Sequence, residues 1–256
     1  MRGLKYMKSK ERLLVFGKPT VWFEIVERFL LENFEDVVIV KGDWGDPLPL
    51  HKKVESEEGT YYTFAMESVD YIISFCCPWI LPNSILTLAE KAAINFHPAP
   101  PKYPGIGGYN YAIYNEDTEY GCTVHYMKEV VDTGDIIDVK YVPTYRNDSI
   151  QALSERTKVY MIKQFFECMN RILSSGLENY HFDEPNYIDG EEVQQEWEWE
   201  REPYTRKEFQ EFCRINVGDF DEKQLELFLR ATYFPNARDP PYILVKGKKW
   251  RLSPLD

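Results

Sequence analysis

Residues 95–135 read NFHPAPPKYPGIGGYNYAIYNEDTEYGCTVHYMKEVVDTGD, and this stretch decides the fold. An apolar run (Ala92, Ala93, Ile94) delivers Asn95, Phe96 and His97, and the proline-rich turn that follows ends any regular element. Strand alternation puts Asn95 and His97 on one face and Phe96 on the other. Further on, VVDTGDII sets Asp132 in a turn between two strand-like runs. An amide, an imidazole and a carboxylate converging at strand ends are the parts of an acid/base site working on a carbonyl.

Outward toward the N-terminus, residues 1–10 read as a loose basic tail. Arg12 to Phe16 is a short buried strand ending at Gly17. Behind it a helical stripe carries Trp22, Ile25, Val26, Phe29 and Leu30. Asp36 to Val40 and Tyr71 to Phe75 are further strands, GDWGDPLPLHKK between them is turn-rich, and Ser84 to Ala89 predicts a short helix. Strand–helix alternation of this kind makes an α/β protein with a parallel sheet. The first turn is GKPT, not G-x-G-x-x-G, so no dinucleotide is indicated. In such sheets ligands lie beyond the carboxyl ends of the strands, where the Cys76–Leu81 loop and the Asn95–His97 pair fall.

Toward the C-terminus, Tyr109 to Asn115 reads as a helix, and Cys122 to Met127 and Ile136 to Val142 as strands. A long helix spans Ser149 to Ser174 with Ser149 as N-cap, its stripe of Leu153, Met161, Phe165, Met169 and Ile172 facing a core. Past Gly176 the chain turns acidic and aromatic without clear period. Two short helices (205–214 and 221–231) and a hairpin in YILVKGKKWRL, turning at Lys246–Lys248, follow. The expected organisation is a tail (1–10), a catalytic domain (11–176) and a C-terminal appendage (177–256).

Composition bounds the function. Hydrophobic residues make up 44% and charged residues 28%, as in a soluble globular protein, and no run approaches a membrane span or a signal-peptide core. The cytoplasm is the expected location. Five cysteines (76, 77, 122, 168, 213) without C-x-x-C or Cys/His spacing read as reduced, buried thiols, with no metal expected. A formal net charge of −12 argues against a nucleic-acid partner, whose phosphates call for a basic face.

The three motifs, N-x-H with its proline-rich loop, G-x-T-x-H at Gly121–His125 and D-T-G-D-I at Asp132–Ile136, occur in one succession. Together they resemble the folate-dependent formyltransferase family over roughly residues 11–145. The resemblance implies a Rossmann-like, mostly parallel sheet flanked by helices (the formyltransferase fold), with a small C-terminal appendage of helices and a β-hairpin. It implies N10-formyltetrahydrofolate as formyl donor. His97 is then the base, Asp132 accepts from one of its ring nitrogens and fixes the tautomer, and the Asn95 amide donates to the developing oxyanion. His125, alternating with Thr123 on a strand, is expected to make a structural hydrogen bond.

For the donor, the resemblance points to a strand-end loop and to backbone before the motif aspartate. Here these are Phe75, Cys76, Cys77, Trp79, Ile80 and Leu81, with Glu129, Val130, Val131 and Asp132. Phe75, Trp79, Ile80 and Leu81 would line an apolar slot for a flat ring. For the acceptor, Lys102 and Tyr103 in PKYPG, and Trp197, Trp199, Tyr204, Tyr233 and Phe234, are the candidates; the aromatics would stack on a base. Pro104 stands where many relatives carry Arg. The PKYPG loop and the RATYFPNARDPPYI segment resemble the amino-sugar branch, which serves surface-glycan (O-antigen) synthesis. The expected acceptor is therefore the amine of a nucleotide-linked amino deoxysugar. Glycinamide ribonucleotide is the alternative acceptor, a tRNA a distant third, and a folate-binding module without turnover the non-enzymatic alternative. An acidic appendage fits a small-substrate enzyme with an added binding surface or a homodimer contact.

Overall fold

The apolar run behind Arg12 forms the first strand, β1 (Ser9–Gly17), in which Leu13, Leu14, Val15 and Phe16 are all buried. Burial on both faces is what a central parallel strand requires. The strand reaches back to Ser9, paired with Phe34, so the expected tail is shorter than ten residues. Thr20 caps α1 (Val21–Asn33), its hydroxyl accepting from Phe23 N. The helix buries Phe23, Val26 and Leu30. Ile25, expected on the buried stripe, is exposed because the i, i+3, i+7 row runs through Phe23. β2 (Phe34–Lys41) follows directly and pairs in parallel with β1.

β3 (Lys52–Ser56) and β4 (Gly59–Thr63) form an antiparallel hairpin that the turn-rich composition did not announce. β5 (Val69–Phe75) lies parallel to β1, with Gly17 opposite Phe75. α2 is a single turn (Asn83–Leu86), shorter than expected, because β6 (Ala89–His97) begins at Ala89 to pair with Val69. After α3 (Gly108–Tyr114) come β7 (Glu119–Tyr126) and β8 (Ile136–Pro143). Hydrogen bonds from Tyr126 N to Asp135 O and from Thr144 N to Thr118 O make these two antiparallel. α4 (Ile150–Ser175) buries the expected stripe, and the Ser149 hydroxyl accepts from Ala152 N as an N-cap does.

The chain ends with β9 (Asn186–Ile188), β10 (Glu191–Val193), α5 (Arg206–Phe212), β11 (Arg214–Ile215), α6 (Glu222–Thr232), β12 (Tyr242–Val245) and β13 (Lys248–Arg251). Capping boxes start both helices, at Thr205/Glu208 and Asp221/Gln224. The β12–β13 hairpin turns through Lys246 and Gly247, both at positive φ, as a two-residue turn demands.

The main sheet has the order β2-β1-β5-β6-β7-β8, and β11-β12-β13 form a separate small sheet. This computed structural model describes residues 7–49, 52–56, 59–63, 67–177, 186–188, 191–193, 197–215, 221–235 and 237–252. The chain divides into two compact units, residues 1–97, 124–138 and 162–196 in one and residues 98–123, 139–161 and 197–256 in the other. The first has its core around Leu14, Phe16, Ile72, Leu81 and Ile85, with the rings of Phe75, Phe96 and Phe165 in mutual contact. The second packs Tyr103, Tyr111, Ala112, Tyr120 and Leu153 with Ala231. Among the described residues no helix is long and apolar enough to cross a membrane.

Candidate active site

Parallel pairing aligns the carboxyl ends of β1, β5 and β6, with Gly17 opposite Phe75 and Phe75 opposite Phe96. The last residues of β6 stand at that edge. Asn95 lies beside Ser74 in the register, and the Ser74 hydroxyl donates to Asn95 Oδ1 at 2.7 Å. The amide nitrogen of Asn95 is thereby turned away from β5, and it lies 3.0 Å from His125 Nε2. His125 Nδ1 is 2.9 Å from the carbonyl oxygen of Tyr126, which can only accept. The proton of the neutral ring therefore sits on Nδ1, and Nε2 accepts from the Asn95 amide.

Asp132 enters this group from the loop between β7 and β8. Its backbone is left-handed (φ +49°), which swings the carboxylate back toward the strand ends. Oδ2 lies 3.3 Å from His97 Nδ1 and Oδ1 lies 3.3 Å from His125 Nε2. The Thr133 hydroxyl donates to Val130 O and steadies the loop. Gly134 allows its close return: a Cβ there would stand 1.6 Å from Tyr126 O, so no other residue fits without moving the backbone. His97, His125 and Asp132 are all buried, which strengthens their electrostatic coupling.

The structure therefore brings Asn95, His97 and Asp132 together. It adds two residues to them. His125 makes the expected structural hydrogen bond to Tyr126 O and accepts from the Asn95 amide at Nε2, which also stands 3.3 Å from Asp132 Oδ1. Ser74 was missed; the available signal was a lone hydroxyl in the otherwise apolar run YIISF. The ring of His97 keeps Nε2 for chemistry, because Nδ1 is directed at Asp132.

The loop after β5 contributes differently from expectation. Phe75 and Leu81 are buried in the core, so their side chains do not face an open slot. Trp79 lies edge-on to Phe16, over Gly42, and its indole N–H donates to Asp46 O at 2.8 Å. Burial pushes the Cys77 thiol up to about 11, and its sulfur bonds to the backbone of Trp79. Cys76 holds a left-handed conformation and is half-buried. What this loop leaves open is Ile80, 72% exposed, and in the Asp132 loop Val130 is 58% exposed with Val131 and Glu129 also in solvent. Met127 shares one apolar cluster with Cys77, Trp79 and Leu81, which places both loops on one rim. Apolar side chains and turn backbone on that rim are what a flat heterocycle requires.

The acceptor candidates belong to the other unit, where most are occupied by packing. Lys102 pairs with Asp117 at 2.9 Å, an interaction that raises its pKa. Tyr103 is buried; burial, reinforced by Asp117, pushes its phenol up to about 12. Tyr204 stacks on Tyr111 with ring centres 4.0 Å apart and is covered by Arg201. Tyr233 is the half-buried C-cap of α6, Phe234 next to it is exposed, and Trp197 and Trp199 are half-buried.

Comparison with known proteins points to one family. The formyl transferase family model matches residues 11–167. The chain is 42% identical over 84 residues to the trifunctional purine biosynthetic protein adenosine-3 of Chironomus tentans, a match over 32% of this chain and 6% of that protein. It is 29% identical over 130 residues to the methionyl-tRNA formyltransferase of Limosilactobacillus fermentum, over 50% of this chain and 41% of that one. The chain thus spans less than half the length of these relatives. A sugar N-formyltransferase from Shewanella sp. FDAARGOS_354 shares the fold, with a TM-score of 0.64 at 20% identity over 94% of this chain and 97% of that one. With a family model covering well over half its length, the chain belongs to the formyl transferase family.

Proposed function

We propose that the protein transfers a formyl group from N10-formyltetrahydrofolate to the amine of a nucleotide-linked amino deoxysugar, a reaction of surface-glycan synthesis. The observation that carries the chemistry is the buried His97–Asp132 contact beside the Asn95 amide at the carboxyl edge of the sheet. The donor supplies an activated formyl carbon. Ile80 and Val130, with the backbone of residues 129–131, are the groups left to hold its flat ring.

His97 Nε2 takes the proton released by the amine as the new carbon–nitrogen bond forms, and returns it to N10 of the donor as the formyl carbon–N10 bond breaks and tetrahydrofolate leaves. Asp132, accepting from Nδ1, keeps that proton off Nε2 beforehand and stabilises the imidazolium afterwards. The Asn95 amide has two N–H groups. One meets His125, and the other is available to the carbonyl oxygen as negative charge develops there. Ser74 prevents the amide from turning its oxygen to that position.

For the acceptor, the supporting observation is that the fold likeness to the Shewanella sugar N-formyltransferase runs through the C-terminal appendage and nearly the whole of both chains. The purine and tRNA relatives match only 32% and 50% of this chain. The test is incubation with N10-formyltetrahydrofolate and a panel of dTDP-, GDP- and UDP-linked amino sugars, with glycinamide ribonucleotide as competitor. Tetrahydrofolate release and a product heavier by one formyl group are expected for an amino sugar. Turnover of glycinamide ribonucleotide alone refutes the sugar assignment, and no turnover of any acceptor with intact donor binding leaves a folate-binding module.

A further inference from the structure

The C-terminal unit contains a cavity of about 250 Å³ whose lining is cationic in a protein of formal net charge −12. Arg238, Lys249 and Arg251 surround it, with Asp239, Gln210 and Tyr242 completing the wall. The hairpin explains the grouping. Tyr242 stands opposite Arg251 and Leu244 opposite Lys249 in the antiparallel register, so these four side chains share one face of the β12–β13 ribbon. Lys249 lies over the Tyr242 ring, 4.2 Å from its centre.

The single carboxylate in the cup is already balanced. Asp239 is paired with Arg206 and accepts from Gln210 Nε2 at 2.9 Å. Arg238, Lys249 and Arg251 are paired with no carboxylate among the described residues. The floor is fixed: Cys213 is fully buried, its thiol donates to Asp239 O, and its carbonyl accepts from Tyr242 N at 2.9 Å. Burial, helped by Asp239 and opposed by Lys249, pushes that thiol up to about 12. Three uncompensated cations around one small cavity concentrate positive potential there, and two of them are guanidinium forks suited to phosphate oxygens.

We propose that this cup is a binding site for a diphosphate group, free or carried on a nucleoside. Three residual positive charges match a diphosphate better than a single carboxylate, and the volume exceeds the needs of one small anion. The site involves none of the residues assigned to formyl transfer, and the inference does not depend on that assignment.

Isothermal titration of the full chain at low salt tests it, with pyrophosphate in one arm and a nucleoside diphosphate in the other. Both should bind, more weakly as salt rises. The Arg238→Gln/Arg251→Gln variant should lose one class of site or weaken it at least about tenfold, with an unchanged denaturation midpoint. Lys249→Gln, at an exposed position, gives the same reading should the double variant unfold. A nucleoside diphosphate that outcompetes pyrophosphate identifies the carried form, and equal affinity the bare group. Absence of binding by the wild type up to about 10 mM, far weaker than ordinary small-anion sites, overturns the proposal. So do isotherms that both variants leave unchanged in every class of site.

Discussion

His97 Nδ1 lies 3.3 Å from Oδ2 of Asp132, with both side chains nearly sealed from solvent. The contact joins the last residue of β6 to a left-handed turn residue thirty-five positions later, and it leaves Nε2 as the His97 nitrogen not directed at Asp132. His97→Ala and Asp132→Ala should each lower kcat by on the order of 10²–10⁴. The double variant should be scarcely slower than the slower single one, because residues acting as a unit are non-additive. Losses that multiply in full in single-turnover measurements would separate the two residues.

Asn95 is held by Ser74 on one side and His125 on the other. Asn95→Ala should reduce kcat by roughly 10²–10³ while donor affinity changes little, since the amide bond strengthens only in the transition state. Ser74→Ala should act through Asn95. A kcat reduced by about tenfold at unchanged KM for the donor, together with rescue by Ser74→Thr, marks a positioning residue. Equal losses in kcat and in donor affinity would make both ordinary binding residues.

Lys102 was expected at a phosphate or a sugar hydroxyl, but its ammonium sits between the two oxygens of Asp117, at 2.9 and 3.0 Å. Lys102→Met should therefore change KM for the nucleotide-linked acceptor by less than about twofold, whereas loss of a charge-assisted phosphate bond costs tenfold or more. A tenfold rise in KM would show that Lys102 leaves Asp117 to meet the acceptor.

The parallel strands and the candidate cluster are legible because each rests on a local pattern. YIISF and AAINF are apolar runs of strand length, and Asn95, His97 and Asp132 lie in short motifs at their ends. The burial of Phe75 and Leu81 was harder to read, since an apolar residue at a strand end suits a core and a ligand slot equally. Ser74 acquires its meaning only from parallel pairing with Asn95, a contact between residues twenty-one positions apart. The pairing of residues 52–56 with 59–63 is not legible because these charged and polar strands lack alternation. The cationic cup is not legible for a related reason: Arg238 and Arg251, thirteen positions apart, line one cavity only in the folded chain.

Asp148 and Arg156 offer a test of stability separate from the chemistry. Asp148 is buried just before α4, and both its oxygens face the Arg156 guanidinium, at 2.7 and 2.8 Å. Tyr145 N also donates to it. Burial pushes this carboxyl up, but the Arg156 hydrogen bonds and the Tyr145 N–H outweigh burial and hold it below its ordinary 3.8. A carboxyl depressed in the folded state contributes stability fully above its unfolded pKa and loses it as pH falls through the folded one. Asp148→Asn should cost about 2–3 kcal/mol at pH 7, the range for a charge-assisted pair that leaves a partner unmatched. The gap between wild type and variant in urea denaturation should hold from pH 7 to about 5, then close as the solution is taken to pH 3 and below. A gap that stayed constant down to pH 3 would mean that packing or the Tyr145 turn, and not the ion pair, accounts for the loss.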